Sequence, residues 1–174
     1  WRVLSREAFD GSGSMGNGAA MRVAPLGAWY AGEPDRAAEE ARLSAEITHS
    51  NPEGIAGAIA VAVAASWAAD RTQGDTRDGI ARVEELLATN VYQVALTIGN
   101  GSGILAQDTV PFVIWNIMKN PDDYAKALWT TVSGGGDMDT TCAMVGGVVA
   151  LMAGGVPEDW RQCREPLDEF LLRE

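Results

Sequence analysis

The chain has 174 residues, a length that fits one domain with a sizeable buried core. Apolar residues make up 47% of it, which excludes a disordered chain, and a net charge of −11 with no Lys/Arg cluster excludes a basic nucleic-acid-binding surface. Abundant Ala and Gly with only 7% aromatics favour closely packed helices over a β-sandwich.

The first punctuated stretch is Gly11-Ser12-Gly13-Ser14-Met15-Gly16-Asn17-Gly18, ahead of Ala19 to Tyr30. Small residues let backbone amides approach a phosphate closely, and Ser14 and Asn17 add polar groups. The stretch contains GxGxxG. However, Ser5 to Asp10 before it is no hydrophobic strand, and no Lys-Ser/Thr follows, so neither a dinucleotide fold nor a P-loop is indicated. Taken alone, it reads equally as a flexible connector.

Pro34 and Asp35 open a helical segment through Thr48, with Ala38, Ala41, Ala45 and Ile47 at helical spacing. His49, the only histidine, closes it. It reads either as a donor at a helix C-terminus or as a contact to phosphate or ribose. Asn51-Pro52-Glu53 has the pattern of an N-cap, a first-turn proline and a first-turn acid. The run from Ile55 to Ala69 is apolar almost all round and predicts a central helix.

Helical periodicity resumes from Asp78 to Thr97, with Ile80, Val83, Leu86 and Leu87 as the inner stripe. Ile98 to Gly103 is a loop. A helix is predicted over Thr109 to Met118, with Pro111 in its first turn. Asn120-Pro121-Asp122-Asp123 repeats the capping pattern and opens a helix to about Thr130. Thr140 to Ala153 is the last strongly apolar helix, stopped by Gly154-Gly155. Pro157 and Pro166 begin short terminal pieces. With no period-two alternation and no linker, residues 1–174 are expected to form a single all-α domain.

Two cysteines, Cys142 and Cys163, match neither a zinc pattern nor a disulfide framework. Cys142 is expected to be a buried thiol, and a reducing cytoplasm is the simplest compartment. No run of about 18 apolar residues and no signal-peptide pattern stand out, so no membrane-spanning helix or membrane partner is expected. An acidic chain that binds an anion needs a local device: backbone amides, a helix N-terminus or a metal ion.

The sharpest segment is Ser133-Gly134-Gly135-Gly136-Asp137-Met138-Asp139-Thr140-Thr141. Hard divalent cations take several oxygen ligands, and Asp137, Asp139 and Thr140 at a loop–helix junction can turn oxygens toward one point. The alternative is an ordinary N-cap, with one acid capping the helix and the other solvated.

Together these segments resemble the ADP-ribosylglycohydrolase family. Phe9 to Pro25 (FDGSGSMGNGAAMRVAP) is similar to its GSxGNGxAMRxAP segment. The likeness continues through Ala41 to His49, Gly99-Asn100-Gly101, Asp108-Thr109-Val110-Pro111 and Gly135 to Thr140, in order and spacing.

The resemblance implies a compact all-α fold and a site for Mg²⁺ or Mn²⁺, with two ions in the complete enzyme. It implies Asp137, Asp139 and Thr140 as metal ligands, the two acids being catalytic. The ADP-ribose diphosphate would lie on Gly13, Ser14, Met15, Gly16 and Asn17. Phe9 and His49 would touch ligand, and Ile104 would sit near the adenine. Met15 stands where an aromatic is common.

The resemblance further implies hydrolysis of the bond joining ADP-ribose to a protein side chain or small acceptor, with ADP-ribose or an ADP-ribosylated protein as partner. An upstream Asp-Asp-Thr-type segment, which nothing in this chain matches, is expected to complete the metal site and supply the general base. That segment would belong to the complete enzyme or to a separate chain. The competing expectation is a non-catalytic ADP-ribose- or metal-binding module, or an inactive fragment.

Overall fold

The computed structural model describes residues 1–70 and 91–166. Among the described residues, ten helices and no strand make up an all-α architecture, as the sequence predicts. They are α1 (Arg2–Glu7), α2 (Gly18–Met21), α3 (Ala24–Trp29), α4 (Pro34–Ala45), α5 (Pro52–Ala69), α6 (Val91–Ile98), α7 (Ala106–Lys119), α8 (Tyr124–Ser133), α9 (Met138–Met152) and α10 (Glu158–Gln162).

Helix α5 is the axle of the fold. Its start is fixed as predicted: the Glu53 amide donates to Asn51 Oδ1 at 3.0 Å, and Pro52 occupies the first turn, where no amide is needed. Helices α2, α3, α4, α7 and α9 pack around it. With 18 residues, α5 is long and apolar enough to cross a membrane by length and composition, which corrects the expectation that no such run exists. In this fold five neighbouring helices pack against it and bury 39% of it. Small residues set the spacing. A Cβ on Gly27 would lie 2.2 Å from the Ala62 carbonyl oxygen, so α3 rests directly on the α5 backbone.

Several boundaries depart from the periodicity. Arg22 and Val23 split the run from Ala19 to Tyr30 into α2 and α3. Helix α4 stops at Ala45, and its buried stripe is Ala37, Ala41 and Ala45 at strict four-residue spacing. Ile47 lies beyond it, 42% exposed. The stripe Ile80, Val83, Leu86 and Leu87 lies outside the described residues, as does most of the helix predicted there; α6 is its described end.

Helix α7 begins three residues early, where the Asp108 and Thr109 amides both donate to the Leu105 carbonyl at 3.2 and 3.0 Å. Pro111 therefore sits inside the helix rather than in its first turn, and removes one ladder bond there. Asp123, not Asn120, caps α8: its Oδ1 accepts from the Lys126 amide at 2.9 Å. Asn120 closes α7 and donates to Thr130 Oγ1 at 3.3 Å.

Among the described residues, two apolar clusters result. The larger joins α2, α3, α4, α5, α7, α8 and α9 through residues such as Val23, Ala41, Val61, Val113, Ala127 and Met144. The smaller packs Val94 of α6 on Phe112 and Trp115 of α7, whose rings stack at 6.2 Å. This second cluster anchors the loop that follows α6. Cys142 is half-buried rather than fully buried, and burial, then the Asp139 charge, pushes its thiol up.

Candidate functional site

Three loops meet at the start of α9. The first, residues 8–17, leaves α1 through Phe9 and Asp10, both in the left-handed region with φ of 54° and 56°. Gly13 N–H donates to the Ala8 carbonyl at 3.0 Å and Gly16 N–H to Ser14 Oγ at 3.2 Å, which closes a tight turn.

The second loop, residues 99–105, pairs with the first. Asn17 N–H donates to Ile104 O at 3.1 Å, Ala106 N–H donates to Met15 O at 2.9 Å, and Gly16 faces Leu105 in an isolated antiparallel bridge. Sequence-distant candidates Met15, Gly16, Asn17 and Ile104 are thereby brought together.

The third loop, residues 134–137, leads into α9. Asn100 holds it: its Nδ2 donates to Gly134 O at 2.8 Å, and its Oδ1 accepts from Ser102 Oγ at 2.7 Å. Gly136, at φ 75°, passes so close that a Cβ would stand 2.3 Å from Asn100 O. Only glycine combines that dihedral with that contact.

Asn17 fastens all three loops. Its buried Nδ2 donates to Thr109 Oγ1 at 3.0 Å and to Asp137 Oδ2 at 2.8 Å. Asp137 stands at the N-cap position of α9, and its side chain accepts from Asn17. The Asp137 carbonyl accepts from both Thr141 N–H, the first ladder bond of α9, and Thr141 Oγ1 at 2.9 Å.

Burial of the Asp137 carboxyl acts to raise its pKa. The Asn17 donor and the Thr140 hydroxyl and amide outweigh that and hold Asp137 below the usual carboxylate range. Asp137 is half-buried, Asp139 exposed beside it, and Thr140 buried. Two carboxylates and a hydroxyl at one helix mouth form a hard-oxygen donor set of the kind Mg²⁺ and Mn²⁺ take. Among the described residues, no group of three or more His, Cys, Asp or Glu gathers into a metal-sized cluster. Further ligands would have to be hydroxyl, carbonyl, water or other protein oxygens.

His49 lies under the first turn: its Nε2 would be 3.3 Å from a Cβ on Gly16 and 3.2 Å from one on Gly18. Phe9 and Ile104 are 70% and 64% exposed, and Ile104 is also left-handed, with φ 52°. A β-branched residue in that region is a true outlier and stores strain. A cavity of about 590 Å³ lies on the α6 side of the second loop, lined by Leu96, Asn100, Asp108 and Gly134 among others; it contains none of the site residues expected from sequence.

The structure also adds neighbours of the candidate residues that local pattern did not mark. Thr109 and Asn100 stand inside segments that carry the family resemblance, but only the folded arrangement shows that one anchors Asn17 and the other anchors the glycine loop.

The ADP-ribosylglycohydrolase family model matches residues 1–173, and the chain belongs to that family. Among curated relatives, ADP-ribosylhydrolase ARH3 from Mus musculus is 28% identical over 95% of this chain and 57% of its own length. The Homo sapiens ARH3 is 29% identical over 95% of this chain and 58% of its own. An uncharacterized protein from Archaeoglobus fulgidus is 30% identical over 90% of this chain and 56% of its own. The chain therefore spans somewhat more than half the length of the curated relatives it matches.

Proposed function

We propose that this chain binds ADP-ribose against the Gly13–Asn17 turn, holds a divalent cation on Asp137, Asp139 and Thr140, and serves hydrolysis of the glycosidic bond between ADP-ribose and an acceptor. The observation that carries the reading is the Asn17 amide, 2.8 Å from Asp137 Oδ2 and 3.0 Å from Thr109 Oγ1, which locks the turn against the acidic helix mouth.

The turn's own hydrogen bonds support an anion cradle of limited extent. The amides of Gly13, Gly16 and Asn17 are committed to Ala8 O, Ser14 Oγ and Ile104 O. Among the described residues, no hydrogen bond takes the Ser14 and Met15 amides, so these two are the donors left for a diphosphate. Two backbone donors and a neutral histidine give an acidic protein a local means of binding an anion.

Phe9 and Ile104 present exposed apolar surface at the two ends of this turn, as an adenine would require. Asp137 stays ionised in the working pH range, as a cation ligand must. A divalent cation held there would supply Lewis acidity and fixed positive charge. The leaving group departs through an oxocarbenium-like transition state. This chain's residues orient the nucleotide and hold the ribose end close to the carboxylates.

Isothermal titration of the 174-residue chain with ADP-ribose and with Mn²⁺, paired with an ADP-ribose release assay, tests the reading. Asp137→Ala and Asp139→Ala should each weaken Mn²⁺ binding by at least about tenfold. Unchanged Mn²⁺ affinity in both variants would reject the metal assignment. Binding of ADP-ribose without release of product would favour the binding-module reading.

A further inference from the structure

The His49 ring is closely boxed. Glycines at 16 and 18 leave room for Nε2, where a Cβ would come within 3.3 and 3.2 Å, and a Cβ on Gly54 would lie 3.3 Å from His49 Cβ. The other ring nitrogen, Nδ1, lies 2.8 Å from Thr48 Oγ1. That same oxygen accepts from Arg22 Nη2 at 2.8 Å, and Arg22 Nη2 also donates to the Ser44 carbonyl at 3.1 Å. Arg22 follows α2, while Thr48 and His49 follow α4, so the three residues bridge two elements beneath the first turn.

The direction of this chain of bonds follows from donor inventory. A guanidinium only donates, so Thr48 Oγ1 must accept from Arg22. A cationic donor polarises the hydroxyl, which makes it a better donor and a poorer acceptor for a second N–H. The arrangement without competing donors has the Thr48 hydroxyl donating to Nδ1. The imidazole proton then resides on Nε2.

We propose that Arg22 and Thr48 are positioning residues that lock His49 in the Nε2–H tautomer, so that an N–H donor faces an oxygen of the ligand seated on the Gly13–Asn17 turn. The inference rests on the proposed ADP-ribose cradle for the identity of that ligand, and on this chain's own hydrogen bonds for the tautomer. Burial, and then the Arg22 charge, hold His49 below its ordinary pKa, so the neutral ring is the species whose tautomer matters at neutral pH.

Because His49 is the only histidine, a long-range ¹H–¹⁵N correlation on the labelled chain reads its tautomer without assignment ambiguity. The wild type should show a protonated Nε2 and an acceptor-type Nδ1. Thr48→Val, isosteric at an exposed position, should move both nitrogen shifts toward a mixed-tautomer average, and Thr48→Ser should restore them. Arg22→Gln should weaken the bias in the same direction, and serves as the independent variant if Thr48→Val does not fold.

In parallel, the ADP-ribose Kd should rise about three- to tenfold in Thr48→Val and recover in Thr48→Ser. An Nδ1–H tautomer in the wild type, or nitrogen shifts unmoved in folded Thr48→Val and Arg22→Gln, would overturn the relay. Failure of the wild type to bind ADP-ribose would instead overturn the cradle, with the relay decided separately by the nitrogen shifts.

Discussion

Replacing Asn17 with Ala removes one side chain and two hydrogen bonds. The bond to Thr109 joins neutral groups and contributes about 1 kcal/mol; the bond to Asp137 has an ionised acceptor and contributes about 1.5–3 kcal/mol when dry. Thr109 keeps its own bond to Leu105 O, and Asp137 is only half-buried, so water relieves part of the second loss. The expected destabilisation is about 2–3 kcal/mol, or a fall in Tm of about 5–10 °C for a chain of this size. Urea denaturation of Asn17→Ala, Asp137→Ala and the double variant measures it as a cycle. A coupling energy of about 1 kcal/mol or more is expected between the two sites. A single-variant loss under about 0.5 kcal/mol, or strict additivity, would show that Asn17 does not tie the turn to the helix mouth.

Two further outcomes follow from local geometry and titration. Gly136→Ala should destabilise by about 2–4 kcal/mol, because a Cβ at φ 75° would meet Asn100 O at 2.3 Å, whereas Gly154→Ala, at φ 80° with nothing within 4 Å, should cost only about 1 kcal/mol. Equal urea midpoints for the pair would refute the steric argument. His49 binds its proton less readily folded than unfolded, since burial and then Arg22 lower its pKa from 6.5. Its contribution to stability is therefore intact above that value and lost as pH falls through the lower folded pKa. His49→Gln should flatten the decline in urea midpoint between about pH 7.5 and about pH 5.5; matching declines would contradict the shift.

Much of the scaffold is legible in local sequence, because caps and prolines act within a few residues. Asn51-Pro52-Glu53 opens α5 as written, and Asp137 to Thr141 lies at the head of an apolar helix. Where local pattern falls short at caps, a side chain able to cap also bonds elsewhere. Asn120 turns to Thr130 on the next helix and leaves the cap to Asp123. Asp137 occupies a cap position and bonds to a residue 120 positions away. No local window contains that partner. The ordered likeness to a family marks both residues, but the reason they belong together, one amide shared by a hydroxyl and a carboxylate, exists only after folding.

Phe9 and Ile104 occupy backbone conformations that glycine or asparagine would adopt with less strain. A sequence tuned only to stay folded would place those smaller residues at both corners, and would gain by it. Under the proposed ADP-ribose cradle, the phenyl ring and the branched aliphatic chain kept there, both exposed, are the surface that would meet the nucleotide. These two corners are where stabilising redesign would trade robustness against recognition.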